Sequence, residues 1–156
     1  MNKIKVSFDY DGTLTLPYIQ EFAKFLIDCE VDVYVITSRF DELHKQNCLG
    51  TIMGENSDLW EIVDKIGIQR HKVRFTLMQP KWEYIYGTKI CLHLDDDTIE
   101  VDDIVNYANY CSPVLVASDC INSCVTEILT EINYCGFSIN SKEYKLIESY
   151  YKKDFQ

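Results

Sequence analysis

Five short apolar runs, separated by helical patterns, constrain this chain more than any other feature. They are Ile4–Phe8, Val31–Ile36, Val73–Leu77, Ile90–Leu94 and Pro113–Ala117. Between the first two, Tyr18, Ile19, Phe22, Ala23, Phe25, Leu26 and Cys29 recur at three-and-four spacing, the period of one helix face. The same spacing places Leu59, Trp60, Ile62, Val63 and Ile66 on a second helix that Gly67 ends. A run as nearly continuous in apolar and aromatic residues as Val31–Ile36 suits a parallel strand covered on both faces. Strands alternating with helices imply an α/β fold: a three-layer sandwich around a mainly parallel, Rossmann-like sheet of about five strands. The length fits one domain, 1–156, with enough chain to bury a sizeable core.

A sheet of this kind carries its ligands at the carboxyl ends of its strands, so the residues that follow each run matter most. The first run enters Asp9-Tyr10-Asp11-Gly12-Thr13. Positions two apart on a strand face the same way, so both carboxylates meet one small site, and Gly12 lets the backbone turn sharply beside a ligand. The second run ends in Thr37-Ser38-Arg39, a common turn by itself but also a source of hydroxyl and N–H donors for a phosphate oxygen. Gln79-Pro80-Lys81 opens a short helix, Pro80 to Tyr86, between the third and fourth runs. The fourth run ends in Asp95-Asp96-Asp97, three acids that repel one another unless a cation is present. Asp97 reads as the cap of the next helix, with Glu100 three residues on. His93 reads as a core or strand histidine, and Trp82 and Tyr84 as packing residues.

The Asp9-Tyr10-Asp11-Gly12-Thr13 string resembles the signature of the haloacid dehalogenase (HAD) superfamily of phosphotransferases. The other elements follow in that family's order over about residues 4 to 97. The resemblance implies that Asp9 attacks phosphorus and forms an aspartyl-phosphate, and that Asp11 is the general acid and then the general base. It implies that Thr37, with Ser38 second, binds the transferring phosphoryl group, and that Lys81 neutralises charge on nucleophile and phosphate. Lys89 is the runner-up, but it precedes the fourth strand, at the wrong edge. The acidic pair Asp95 and Asp96 would complete a Mg²⁺ site with Asp9 and the backbone carbonyl of Asp11. Hard oxygen ligands suit that ion. Family members often carry a cap domain between Asp11 and the first helix, and there is no room for one here. Pro17 opens that helix, with Thr15 as its expected cap.

The expected activity is therefore Mg²⁺-dependent hydrolysis of a phosphomonoester. An open, cap-less site suits a small phosphorylated molecule or a nucleotide, with a polynucleotide or protein phosphatase as the alternative. A non-catalytic Mg²⁺- or phosphate-binding scaffold is a second reading. A phosphoacceptor receiver is a third, disfavoured because its phosphorylated Asp follows a later strand. The net charge of −10 disfavours nucleic acid and acidic membrane surfaces, a local basic groove aside, and no apolar run is long enough to span a bilayer. Met1-Asn2-Lys3 leads straight into the first strand without a signal peptide, and the seven cysteines sit largely in apolar runs. Reduced, buried thiols and a cytoplasmic setting are the expectation. Residues 40–56, which include His44, should overhang the site. The last helix, from Ser141, completes the sheet packing or makes a contact in a homo-oligomer.

Overall fold

A computed structural model of the chain describes residues 3–44, 56–135 and 141–150. Five strands form one sheet: β1 (Lys5–Phe8), β2 (Asp32–Thr37), β3 (Val73–Phe75), β4 (Ile90–Asp95) and β5 (Ser112–Leu115). Their order is β3-β2-β1-β4-β5 and every pairing is parallel. The helices are α1 (Pro17–Asp28), α2 (Ser57–Ile66), α3 (Trp82–Ile85), α4 (Thr98–Tyr107), α5 (Cys120–Cys135) and α6 (Ser141–Tyr150).

Two apolar clusters explain the three layers. Phe22 and Leu26 of α1, Leu59 and Val63 of α2, Val125 and Ile128 of α5 and Tyr150 of α6 pack on Val6, Val33 and Val35. On the other face, Ile85 and Trp82 of α3 and Ile104 of α4 pack on Ile36 and Ile90. Parallel strands need long crossovers, and the helices that provide them cover the sheet on both sides. An irregularity in the β1–β4 pairing follows Lys5, which faces Ile90 while Val6 faces Leu92.

The order of the strands decides where a ligand can sit. The chain fills one side of β1 with β2 and β3, then crosses to the other side for β4 and β5. The carboxyl ends of β1 and β4 therefore flank the point where the winding reverses, which opens a crevice in folds of this class. The Asp9 amide donates to the Leu94 carbonyl at 2.9 Å and closes that junction.

Some local expectations need correction. Leu16, not Thr15, precedes α1 in extended conformation, and no side chain caps that helix. Pro17 starts it, where a missing N–H costs nothing. Asp97 caps α4 by accepting the Ile99 amide at 2.9 Å, but Glu100 does not reach back to it. Glu100 instead accepts the Lys81 amide at 3.0 Å. The helix expected over Pro80–Tyr86 is shorter, Trp82–Ile85. Gly67 ends α2 in left-handed conformation, φ 96°, as expected. Cys29, Cys91, Cys111, Cys120 and Cys124 are buried thiols. Among the described residues no helix is long and apolar enough to cross a membrane. Most of the expected overhang, 45–55, lies outside the described residues. His44, which precedes it, bonds locally to Asp41, Nδ1 to Oδ1 at 2.8 Å.

Candidate active site

Strand ends β1 and β4 each present a carboxylate to the same small volume. Asp9 follows β1 and is only 4% exposed; Asp95 ends β4 and is fully buried. Asp96 adds a third, exposed carboxylate, and one oxygen from each of the three lies within 4.8 Å of the others.

The turn after β1 brings Asp96 close. Leu14 N–H donates to Asp9 O at 3.1 Å and Thr15 N–H to Tyr10 O at 3.2 Å, which makes a wide loop over residues 9–15. Gly12 sits in it at φ 74°, and a Cβ there would lie 2.2 Å from Asp96 Oδ2. Only glycine allows both that backbone conformation and that approach.

Lys81 lies at the centre of the cluster. Its Nζ donates to Asp9 Oδ1 and to Asp95 Oδ2, both at 2.7 Å, and the side chain is 3% exposed. One buried cation thus holds two buried anions, an arrangement that needs good geometry to offset desolvation. Thr13 Oγ1 donates to the other Asp9 oxygen at 3.1 Å. Asp95 Oδ1 accepts the Asp97 amide at 3.0 Å, and Asp95 Oδ2 also meets His93 Nε2 at 2.8 Å.

These contacts separate the behaviour of the two carboxyls. Burial pushes Asp9 up to about 7, with the Asp95 charge adding to it and Lys81 opposing it. Burial also works against Asp95, but the bond from His93 and the Lys81 charge overcome it and hold that carboxyl at about 2. Burial disfavours the charged Lys81, yet Asp9 and Asp95 more than offset it and raise its pKa. Buried acids whose pKa values are driven apart by a specific charged partner mark a candidate functional site.

Asp11 is placed differently. Its carboxylate pairs with Arg39 in a fork, Nη2 to Oδ1 at 2.7 Å and Nε to Oδ2 at 2.9 Å. Arg39 also forks to Asp58 of α2 at 2.8 and 2.9 Å and lies over the Tyr10 ring at 4.8 Å. The structure therefore brings Asp9, Lys81, Asp95 and Asp96 together, while the Asp11 side chain, 55% exposed, is turned on to Arg39. Thr37 ends β2 next to β1, fully buried, with its Oγ1 accepting the Arg39 amide at 3.3 Å. Ser38, half-buried, follows it, and its carbonyl accepts the Met78 amide at 2.9 Å. Leu77 and Met78 are both left-handed, φ 55° and 66°. This pinned, strained loop delivers Lys81, and non-glycine residues in such conformations gather at functional sites.

No protein-family model matches the chain, and no curated protein or solved structure matches it significantly. The site speaks through its own geometry: a Rossmann-like parallel sheet with a carboxylate cluster at the ends of β1 and β4. Its donors are all hard oxygens, and three carboxylates against one lysine leave an excess of negative charge. That set fits a hard divalent cation.

The sequence reading missed Arg39, Asp58, Glu100 and the bonding of His93. Arg39 carried a signal, a lone arginine directly after the Thr37-Ser38 turn. The partners of the others are set by topology. Lys89 precedes β4 at the opposite edge. Trp82 packs against Tyr107, ring centroids 5.1 Å apart, as a structural residue.

Proposed function

We propose that this chain is a divalent-metal-dependent phosphomonoester hydrolase of the HAD type, working through an aspartyl-phosphate on Asp9. The observation that carries the reading is the Asp9 carboxylate. It is buried at the switch point of the sheet, held by Lys81 on one oxygen and Thr13 on the other, beside Asp95 and Asp96. A carboxylate fixed in that way is oriented for attack before substrate arrives.

In the first step an Asp9 carboxylate oxygen forms a bond to phosphorus, and the bond from phosphorus to the ester oxygen breaks. Asp11 gives its proton to that leaving oxygen. In the second step Asp11 takes a proton from water, whose oxygen attacks the same phosphorus and releases inorganic phosphate and the Asp9 carboxylate. Lys81 stays charged throughout and neutralises the nucleophile and the phosphoryl oxygens. Thr37 and Ser38 offer hydroxyl and backbone donors to those oxygens. Asp9, Asp95 and Asp96, with the Asp11 carbonyl, would hold a Mg²⁺ ion, which would supply further positive charge to offset that of the phosphate. For Asp11 to act, its carboxylate must leave the Arg39 fork.

Phosphate release from a panel tests this reading: an aryl phosphate, nucleoside 5′- and 3′-monophosphates, sugar phosphates and an oligonucleotide 3′-phosphate. Each is assayed with and without Mg²⁺, for the natural chain and for Asp9→Asn. Metal-dependent release that disappears in Asp9→Asn is expected, with the best member naming the substrate class. Mg²⁺ binding without release from any member would favour a binding scaffold.

A further inference from the structure

His93 takes no part in the chemistry above, yet it is fully buried and bonded at both ring nitrogens. It lies two residues before Asp95 on β4 and so shares its face of the strand. The sheet register sets Ser7 of β1 opposite it. Ser7 Oγ is 2.7 Å from His93 Nδ1, and His93 Nε2 is 2.8 Å from Asp95 Oδ2. The directions of these bonds follow from the donor inventory. An ionised carboxylate only accepts, so Nε2 carries the hydrogen. A neutral imidazole then has a lone pair at Nδ1, which accepts from the Ser7 hydroxyl. The other acceptor near Ser7 Oγ, the Leu92 carbonyl, is farther away at 3.5 Å.

We propose that Ser7 and His93 are positioning residues that orient Asp95 as a metal ligand through a buried Ser7–His93–Asp95 relay. The proposal rests on the reading of Asp9, Asp95 and Asp96 as the metal cluster. Two donors, His93 and Lys81, fix Asp95 Oδ2, and the Asp97 amide fixes Oδ1. With Ser7 holding the far side of the ring, the carboxylate cannot rotate without breaking several buried bonds. Partners of this kind, one bond removed from a metal, typically change affinity by about 10- to 100-fold when lost.

The test is Mn²⁺ binding by isothermal titration to the metal-free chain, its Ser7→Ala and its His93→Leu form, with the melting temperature of each metal-free form as a control. The expected result is Mn²⁺ affinity weakened by about tenfold or more in His93→Leu and by a smaller factor in Ser7→Ala. Imidazole ¹⁵N shifts of the metal-free natural chain should show the Nε2–H tautomer, which a space-filling histidine has no reason to prefer. Should His93→Leu not fold, Ser7→Ala and the tautomer decide. Unchanged affinity in the folded variants, or an Nδ1–H tautomer, overturns the relay. No Mn²⁺ binding by the natural chain overturns the relay and the metal cluster together.

Discussion

Burying the Asp9 carboxyl beside Asp95 has a cost with a definite pH signature. That carboxyl is raised from an ordinary 3.8 to about 7 in the metal-free fold. The unfolded chain gives up this proton near pH 4 and the folded chain only near pH 7. Stability contributed by the protonated group is therefore complete below the ordinary value and is lost as pH rises through that window. Asp95 has the opposite sign: its depressed value of about 2 gives stability that is present above about pH 4 and fades as pH falls toward 2. Melting of the metal-free chain should weaken between pH 4 and 7, and Asp9→Asn should flatten that decline. A decline of equal size in Asp9→Asn would assign the effect to another group. Lys81 limits the cost by pairing with both carboxylates. Arg39 does the same for Asp11 and Asp58 at the rim, where exposure makes each pair weaker.

At the scale of elements, the loop after β1 and the terminal helix make separate demands. Gly12 is left-handed, and a Cβ at that position would run into the Asp96 carboxylate. Gly12→Ala should cost about 1–2 kcal/mol for the backbone conformation alone, and the clash should push Asp96 aside. Thermal melting reads the first effect and weakened Mn²⁺ binding the second; a variant that binds Mn²⁺ normally would detach Asp96 from the cluster. The α6 helix serves the fold instead. Tyr150 is buried on α1, with its ring centroid 4.5 Å from that of Phe25 and 5.3 Å from that of Phe22. Tyr150→Ala should cost about 3 kcal/mol of stability, read by urea unfolding, while phosphate release stays at the natural level well below the melting temperature.

Across the whole molecule, the sheet and the strand-end residues were legible because both are local patterns. An apolar run fixes a strand, and the residues just past it fall at the ligand edge by topology. Asp9, Lys81, Asp95 and Asp96 meet for that reason. Bonds that depend on distant segments were not legible. Arg39 and Asp11 are 28 residues apart, Ser7 and His93 are 86 apart, and Lys81 and Glu100 are 19 apart. Nothing in either partner's neighbourhood announces the other. Glu100 fits a capping pattern in sequence, yet it bonds the Lys81 amide because α3 and α4 share one face of the sheet. The proposed route takes the phosphoryl group through Asp9, where it can be caught. Asp11→Asn should slow release of the phosphoryl group, so its intact mass should show one added phosphoryl after exposure to substrate and Mg²⁺, with fragmentation locating it on Asp9. Full turnover by Asp11→Asn, or a phosphoryl group on any other residue, would contradict the account.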